Sequence, residues 1–305
     1  MTTGTHEYLD DPRNAEILIY VNGTLVPRAE ASISVFDSGF VLGDGVWEGL
    51  RLHRGRILFL DAHLDRLYAG ARALDFDIGL EREPLTRALY TTVEANGMRD
   101  HVHIRLMVTR GLKSTPYQDP RVTVGGATIV IIAEHKQPSP AVIERGVRLA
   151  TVHVRRGPPD VQDPRINSHS KLNCILACIQ ATKAGADEAL MLDPHGMVAT
   201  CNSTHFFIVC GNEVWTSSGR YCLAGITRAN VIDLCRRHAI PVFERDFSLF
   251  DVYSADEAFV TGTFAGVVPA IEVDGRRIGS GARGPMTLRL QEHYRDLIDA
   301  ECANA

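Results

Sequence analysis

At 305 residues the chain has room for one large domain or two smaller ones with complete cores. Apolar content of 45% and charge of 23% are ordinary for a globular protein, and a formal net charge of -5 with no basic run argues against nucleic acid as the main partner. Seven scattered cysteines with no Cys-x-x-Cys pair argue against a disulfide framework or a zinc site and fit a reducing cytoplasm. Met1 to Arg13 is polar and acidic, without the basic and apolar regions of a signal peptide. No uninterrupted apolar stretch approaches the ~20 residues of a membrane helix.

Residues 1–16 read as a loose tail. Ile17 to Val26 is a hairpin candidate turning at Asn22-Gly23, and a glycine-rich loop precedes a strand-like run, Val46 to Leu52. Asp61 is placed to cap a helix whose apolar positions Leu64, Leu67, Tyr68, Ala71 and Leu74 follow helical spacing. A second helix is expected from Pro84 to Asn96, stopped by Gly97. His101 to Thr109 alternates, with Val102, Ile104, Leu106 and Val108 on one face and His103, Arg105 and Met107 on the other. Thr128 to Ala133 is another strand, and the polar segment with two prolines that follows is the linker candidate, 134–141. Beyond it come a strand near Val147–Val154, a helix from Ser170 to Ala184, short strands between Glu188 and Thr216, a helix Thr227–His238, a strand Glu257–Val260 and a last helix from Pro285. The pattern is α+β in two domains, a small one at 17–133 and a larger one at 142–305.

Three places carry anion-binding chemistry. Gly225-Ile226-Thr227-Arg228 enters an apolar-periodic helix, which offers free N–H groups and the Thr227 hydroxyl at a positive helix end. Thr261-Gly262-Thr263 follows a strand, and glycine there lets backbone approach a ligand closely. Arg66 lies on the first long helix. Taken singly, Thr227 is also a plain N-cap, Gly262 an ordinary turn and Arg66 a solvated surface arginine.

Together they resemble the class IV (fold-type IV) aminotransferases over about residues 17 to 295. Asp61-Ala62-His63-Leu64-Asp65-Arg66-Leu67 is similar to that family's helix whose arginine holds the phosphate of pyridoxal 5′-phosphate (PLP). Gly43-Asp44-Gly45-Val46-Trp47-Glu48-Gly49-Leu50-Arg51 resembles the strand before it, and Ala186 to Asp193, Gly225 to Arg228 and Gly262-Thr263 recur in family order. The resemblance implies a fold-type IV, D-amino acid aminotransferase-like fold with the cofactor at the domain interface, and a large domain that binds PLP. It implies Arg66, Thr200, Ile226, Thr227, Gly262 and Thr263 as cofactor residues, and a homodimer or higher homo-oligomer.

Transamination on PLP needs a lysine, and the chain has four: Lys113, Lys136, Lys171 and Lys183. Only Lys171 stands at the strand-to-helix junction where the family carries its Schiff-base lysine, so it is the candidate. Its register departs from the family. Counted back from Gly185 without a gap, Asn167 occupies the usual lysine position, and Lys171 falls about where the family has a tyrosine facing the cofactor's 3′-oxygen. That oxygen neighbours C4′, so a lysine at 171 is a relocated candidate. A second departure is Thr200, which stands where the family has a glutamate for the ring nitrogen; a hydroxyl does not hold the ring as pyridinium. The alternative is that Thr200 only packs and another acid serves.

For the substrate pocket, His103-Ile104-Arg105 keeps the arginine of a tyrosine-x-arginine pattern in branched-chain aminotransferases. Arg51 matches an arginine near their substrate carboxylate and Trp47 an aromatic wall; the other view is a surface-facing pair on a half-buried strand. The loop Lys113-Ser114-Thr115-Pro116-Tyr117 lacks the arginine-x-histidine trap of D-amino acid enzymes. His153, His169 and His205 have no metal-ligand spacing, and no metal is expected. The leading expectation is a cytoplasmic PLP-dependent aminotransferase acting on an amino acid, branched-chain by resemblance, and a 2-oxo acid. The alternatives are a lyase resembling aminodeoxychorismate lyase and a catalytically degenerate PLP binder.

Overall fold

Asn22 and Gly23 take φ angles of 46° and 95°, so strand β1 (Leu18–Val21) turns straight back into β2 (Thr24–Pro27). This hairpin opens the chain's first unit in the computed structural model, which describes residues 4–303. The chain divides into two units: one comprises Asp10–Gln137 with Ile166–Lys171, the other Pro138–Arg165 with Leu172–Ala303 and the described residues up to Leu9.

The first unit continues with α1 (Ser38–Leu42), β3 (Gly45–His53), β4 (Arg56–Ile57), α2 (Leu60–Ala73), α3 (Arg82–Ala95) and β5 (Val102–Thr109). A small ribbon of β6 (Leu112–Lys113) and β7 (Thr123–Val124) precedes β8 (Thr128–His135). The main sheet is antiparallel, in the order β2-β1-β8-β5-β3-β4. Alternation in β3 and β5 does what period-two patterning requires: Val46, Leu50, Leu52, Ile104 and Leu106 point to one side and are fully buried with Leu64, Leu67, Leu85 and Leu89 from α2 and α3. Burying each such leucine is worth roughly 1.5–3 kcal/mol, so the two helices are held to one sheet face, and the other face mixes Arg51, His103 and Arg105 with Trp47, Met107, Val130 and Ile132. Asp61 is not the cap of α2; it lies in the first turn, where its charge suits the helix dipole, and Phe59 at φ 52° is the N-cap.

The second unit contains α4 (Pro140–Arg145), β9 (Val147–Thr151), α5 (Pro159–Gln162), α6 (Leu172–Lys183), β10 (Glu188–Leu192), β11 (Val198–Cys201), β12 (His205–Cys210) and β13 (Glu213–Thr216). Then follow α7 (Ile226–Arg237), β14 (Val242–Glu244), α8 (Leu249–Ser254), β15 (Glu257–Gly262), β16 (Gly266–Val273), β17 (Arg276–Arg277) and α9 (Pro285–Ala303). Eight strands run β11-β10-β9-β16-β15-β12-β13-β14, and β17 pairs with β16. All five residues of β10 are buried, as a strand covered on both faces demands. Central β16 carries Pro269, which reads against a strand in sequence. It is tolerated because it faces Phe259 of β15, while the parallel pairing to β9 begins only at Ala270 and shifts register before Glu272.

Two segments are more ordered than their sequences indicate. Within the expected tail, Gly4–His6 forms a 3-10 turn; Thr5 donates to buried Glu188 and the His6 ring stacks on Phe264 at 6.2 Å. Met1 to Thr3 lie outside the described residues. The expected linker is also short, since β8 runs to His135 and α4 starts at Pro140.

Candidate active site

In the first unit, residues 167–169 run along the edge of β3. Trp47 N donates to the Asn167 carbonyl (2.9 Å), His169 N to that of Gly45 (3.0 Å), and Val46 bridges Ser168. Asn167 Nδ2 returns a bond to the Trp47 carbonyl (2.7 Å), and the Trp47 indole Nε1 donates to the Ser168 carbonyl (3.1 Å). His169 Nε2 donates to the Val46 carbonyl at 3.0 Å, and burial holds its imidazole below the ordinary histidine range, so it serves this edge as a neutral ring. Lys171 is the residue just before α6, and its Nζ donates to Asn167 Oδ1 at 3.0 Å. The two positions that compete for the role of cofactor lysine are thus joined by one hydrogen bond.

Trp47, Arg51, His103 and Arg105 share the sheet face opposite the helices, with Arg51 opposite His103 and Gly49 opposite Arg105 in register. The Arg105 guanidinium lies 3.9 Å over the Trp47 ring and Lys171 Nζ 5.3 Å from its centroid. Burial lowers the Arg105 pKa, but a guanidinium stays protonated, so Arg105 borders the tryptophan as a cation. Gly49 keeps that face open: a Cβ there would stand 3.3 Å from His103 Cε1 and 3.4 Å from Trp47 Cζ3.

Arg66 is not a solvated helix arginine. Its Nε and Nη2 donate to Glu48 Oε1 and Oε2 at 2.8 and 2.6 Å, and His63 Nδ1 donates to the same carboxylate at 2.7 Å. Glu48 is a residue that the motifs alone do not single out. A signal for it is nonetheless present, because it is the one charged residue in phase with Val46, Leu50 and Leu52 on the apolar face of β3.

In the second unit, α7 is capped by Gly225, not by Thr227, and this glycine cap brings no side-chain hydrogen bond. Ile226 and Thr227 occupy the first turn and are buried. Gly225 is required by a close approach: a Cβ would fall 2.3 Å from the His205 ring, whose Nε2 donates to the Leu223 carbonyl at 2.8 Å. Gly262 closes β15 and Thr263 begins the turn after it; a Cβ on Gly262 would meet Thr204 Cγ2 at 3.2 Å. Thr200 Oγ1 donates to the Thr204 carbonyl (2.8 Å), while Thr204 Oγ1 donates to Glu188 Oε2 (2.7 Å). The Thr200 hydrogen is therefore committed, and its oxygen is left as an acceptor.

The model of the family "Amino-transferase class IV" matches residues 45–273, a span that takes in both units. The chain belongs to the class IV aminotransferases. It is 43% identical over 282 residues to a putative branched-chain-amino-acid aminotransferase of Methanocaldococcus jannaschii, covering 92% of this chain and 96% of that one. It is 42% identical over 290 residues to branched-chain-amino-acid aminotransferase-like protein 2 of Arabidopsis thaliana, covering 94% of this chain and 51% of the relative, so it spans about half the length of that protein. Among solved structures, a T.th. branched-chain amino acid aminotransferase complexed with N-(5′-phosphopyridoxyl)-L-glutamate superposes with a TM-score of 0.86 at 32% identity, over 94% of this chain and 95% of that one. The α+β, fold-type IV architecture expected from the class IV motifs is the architecture observed.

The residues suit a phosphate-bearing cofactor. A dianion needs a guanidinium or clustered N–H donors; the first unit has a fork-held arginine, and the second has a buried helix start capped by glycine. They suit a protonated pyridine ring less well, because Thr200 brings no charge.

Proposed function

We propose that the chain is a PLP-dependent aminotransferase exchanging an amino group between an amino acid, with a branched-chain side chain favoured, and a 2-oxo acid, with Lys171 as its relocated lysine. The observation that carries this is the 3.0 Å bond from Lys171 Nζ to Asn167 Oδ1. It brings the amine to the side chain that a gap-free count from Gly185 puts at the family's lysine position.

PLP, when bound, supplies an aldehyde at C4′ and a ring that spreads negative charge from Cα. The chain's own groups do the rest. Arg66, the Ile226 amide, Thr227, Gly262 and Thr263 hold phosphate; Lys171 offers its amine to C4′ and moves the proton between C4′ and Cα. Thr200 offers the ring nitrogen an oxygen lone pair, which accepts from that nitrogen only while it carries a proton and holds the proton less firmly than a carboxylate does. Arg51 and Arg105 receive the substrate carboxylate, with Trp47 and His103 lining that face. Seven free cysteines support a reducing, cytoplasmic setting. No helix among the described residues is long and apolar enough to cross a membrane. Helix α6 exposes Leu172, Ile175, Leu176 and Ile179 at helical spacing, which supports a second copy of the chain as its partner.

The test is borohydride reduction of the PLP-loaded protein followed by peptide mass mapping, alongside turnover with branched-chain donors and 2-oxoglutarate. A cofactor mass on Lys171 with turnover is expected. A mass on another lysine sinks the relocation. The Thr200 hydrogen bond favours one second reading, a PLP binder with no turnover, and binding without any amino transfer would establish it.

A further inference from the structure

Glu48 stands on the apolar side of β3, in phase with Val46, Leu50 and Leu52, and its side chain is 0% exposed. A carboxylate there gives up its water entirely, so its partners must replace that hydration. They do so with three charge-assisted bonds: Arg66 Nε on Oε1, Arg66 Nη2 on Oε2, and His63 Nδ1 on Oε2. His63 and Arg66 both project from α2, one turn apart, so one carboxylate from the sheet grips two consecutive turns of the helix. The parallel fork fixes the plane of the guanidinium as well as its position. Arg66 itself is only 13% exposed, so little solvent competes for that fork.

We infer that Glu48 is the positioning residue for Arg66, holding the guanidinium in the orientation in which it receives the cofactor phosphate. The inference rests on the proposed role of Arg66 as a phosphate ligand. Charge and orientation make opposite demands here. Glu48 offsets the positive charge that attracts a dianion, so if net charge governed, its removal would tighten phosphate binding. If orientation governs, removal weakens it, because a released arginine must give up side-chain freedom each time it binds. The same sign distinguishes positioning from general support of the fold, which would weaken ligands with and without phosphate alike.

The experiment titrates apo-protein with PLP and with pyridoxal, which lacks the phosphate, and reads the ratio of the two affinities. Arg66→Ala is the reference and collapses the ratio. Glu48→Gln lowers PLP affinity about tenfold, the loss of one charge-assisted hydrogen bond, with pyridoxal affinity nearly unchanged. Glu48→Asp keeps a charge in the buried seat but is one methylene too short for the fork; it lowers the ratio by a smaller factor, and it decides the matter if the glutamine variant does not fold. A ratio unchanged or raised in both Glu48 variants, with Arg66→Ala still collapsing it, overturns the inference and leaves the phosphate role of Arg66 intact. A ratio unmoved by Arg66→Ala overturns that underlying role, and the inference with it.

Discussion

Lys171 Nζ and Asn167 Oδ1 are hydrogen-bonded at 3.0 Å within the segment that leads into α6. The position that a gap-free count from Gly185 gives the family's lysine, 167, and the lysine proposed to replace it, 171, meet at this bond. The amine is delivered from the C-terminal side of the segment, and the asparagine amide is anchored in turn on the Trp47 carbonyl.

The bond predicts how the lysine responds to relocation. Lys171→Ala removes the borohydride-fixed cofactor and lowers turnover by roughly 10²-fold or more, as expected when a group forming a covalent intermediate is lost. Adding Asn167→Lys to that variant restores a reducible cofactor, now on residue 167 by peptide mass. Failure of the second variant to recover any adduct would show that the two positions do not serve the same carbonyl.

Thr200 predicts a separation between stability and colour. Thr200→Val keeps the shape and removes one of two donors to the Thr204 carbonyl, which keeps Cys201 N at 2.9 Å, so denaturant unfolding of the apo-protein shows a loss of about 0.5–1.5 kcal/mol. If Thr200 meets the ring nitrogen, the visible absorption of bound PLP also shifts. An unchanged spectrum with the same stability loss would mark Thr200 as a packing residue only.

The Glu48 seat makes acid stability predictable in sign. Burial pushes its carboxyl up, but the hydrogen bonds from Arg66 and His63 outweigh that and hold it below its ordinary 4.5. A carboxyl lowered on folding contributes stability that is complete above 4.5 and is lost as pH falls through the lowered folded value. Thermal unfolding followed against pH is expected to show a flatter acid limb for Glu48→Gln than for wild type. At neutral pH that variant is destabilised by roughly 1–3 kcal/mol, because a neutral amide with one acceptor oxygen replaces the carboxylate that receives Arg66 and His63.

Helix α6 predicts self-association. Leu172, Ile175, Leu176 and Ile179 are 64%, 52%, 44% and 45% exposed, an apolar row of the kind that interfaces cover. Light scattering on the purified protein is expected to give a dimer or higher homo-oligomer, and Ile175→Asp with Ile179→Asp to shift it toward monomer with little change in unfolding of the separate chain. A wild-type monomer at all concentrations would remove the proposal.

Much of the site was legible because its signals are local. Glycine beside a helix start, alternation in β3 and β5, and the 3.6-residue period of α2 each depend on neighbours in sequence, and they placed Thr227, Arg51, Trp47, Arg105 and Arg66 on the elements where they are found. β16 was hidden for the opposite reason: Pro269 is acceptable there only because of which backbone groups its two neighbouring strands leave unused.

The sequence by itself determined that Lys171, and not Asn167, holds an amine, and that Thr200 carries no charge. Only the tertiary structure decided what those residues touch. Glu48, His63 and Arg66 meet because a sheet face packs on a helix, bringing residue 48 to within 2.7 Å of residue 63. The Lys171–Asn167 bond depends on residues 167–169 being pinned along β3 by Trp47 and Gly45. The pairing of 167–169 with β3 and the Glu48 contacts with α2 join residues far apart in sequence and are set by burial and register, so no local pattern announces them.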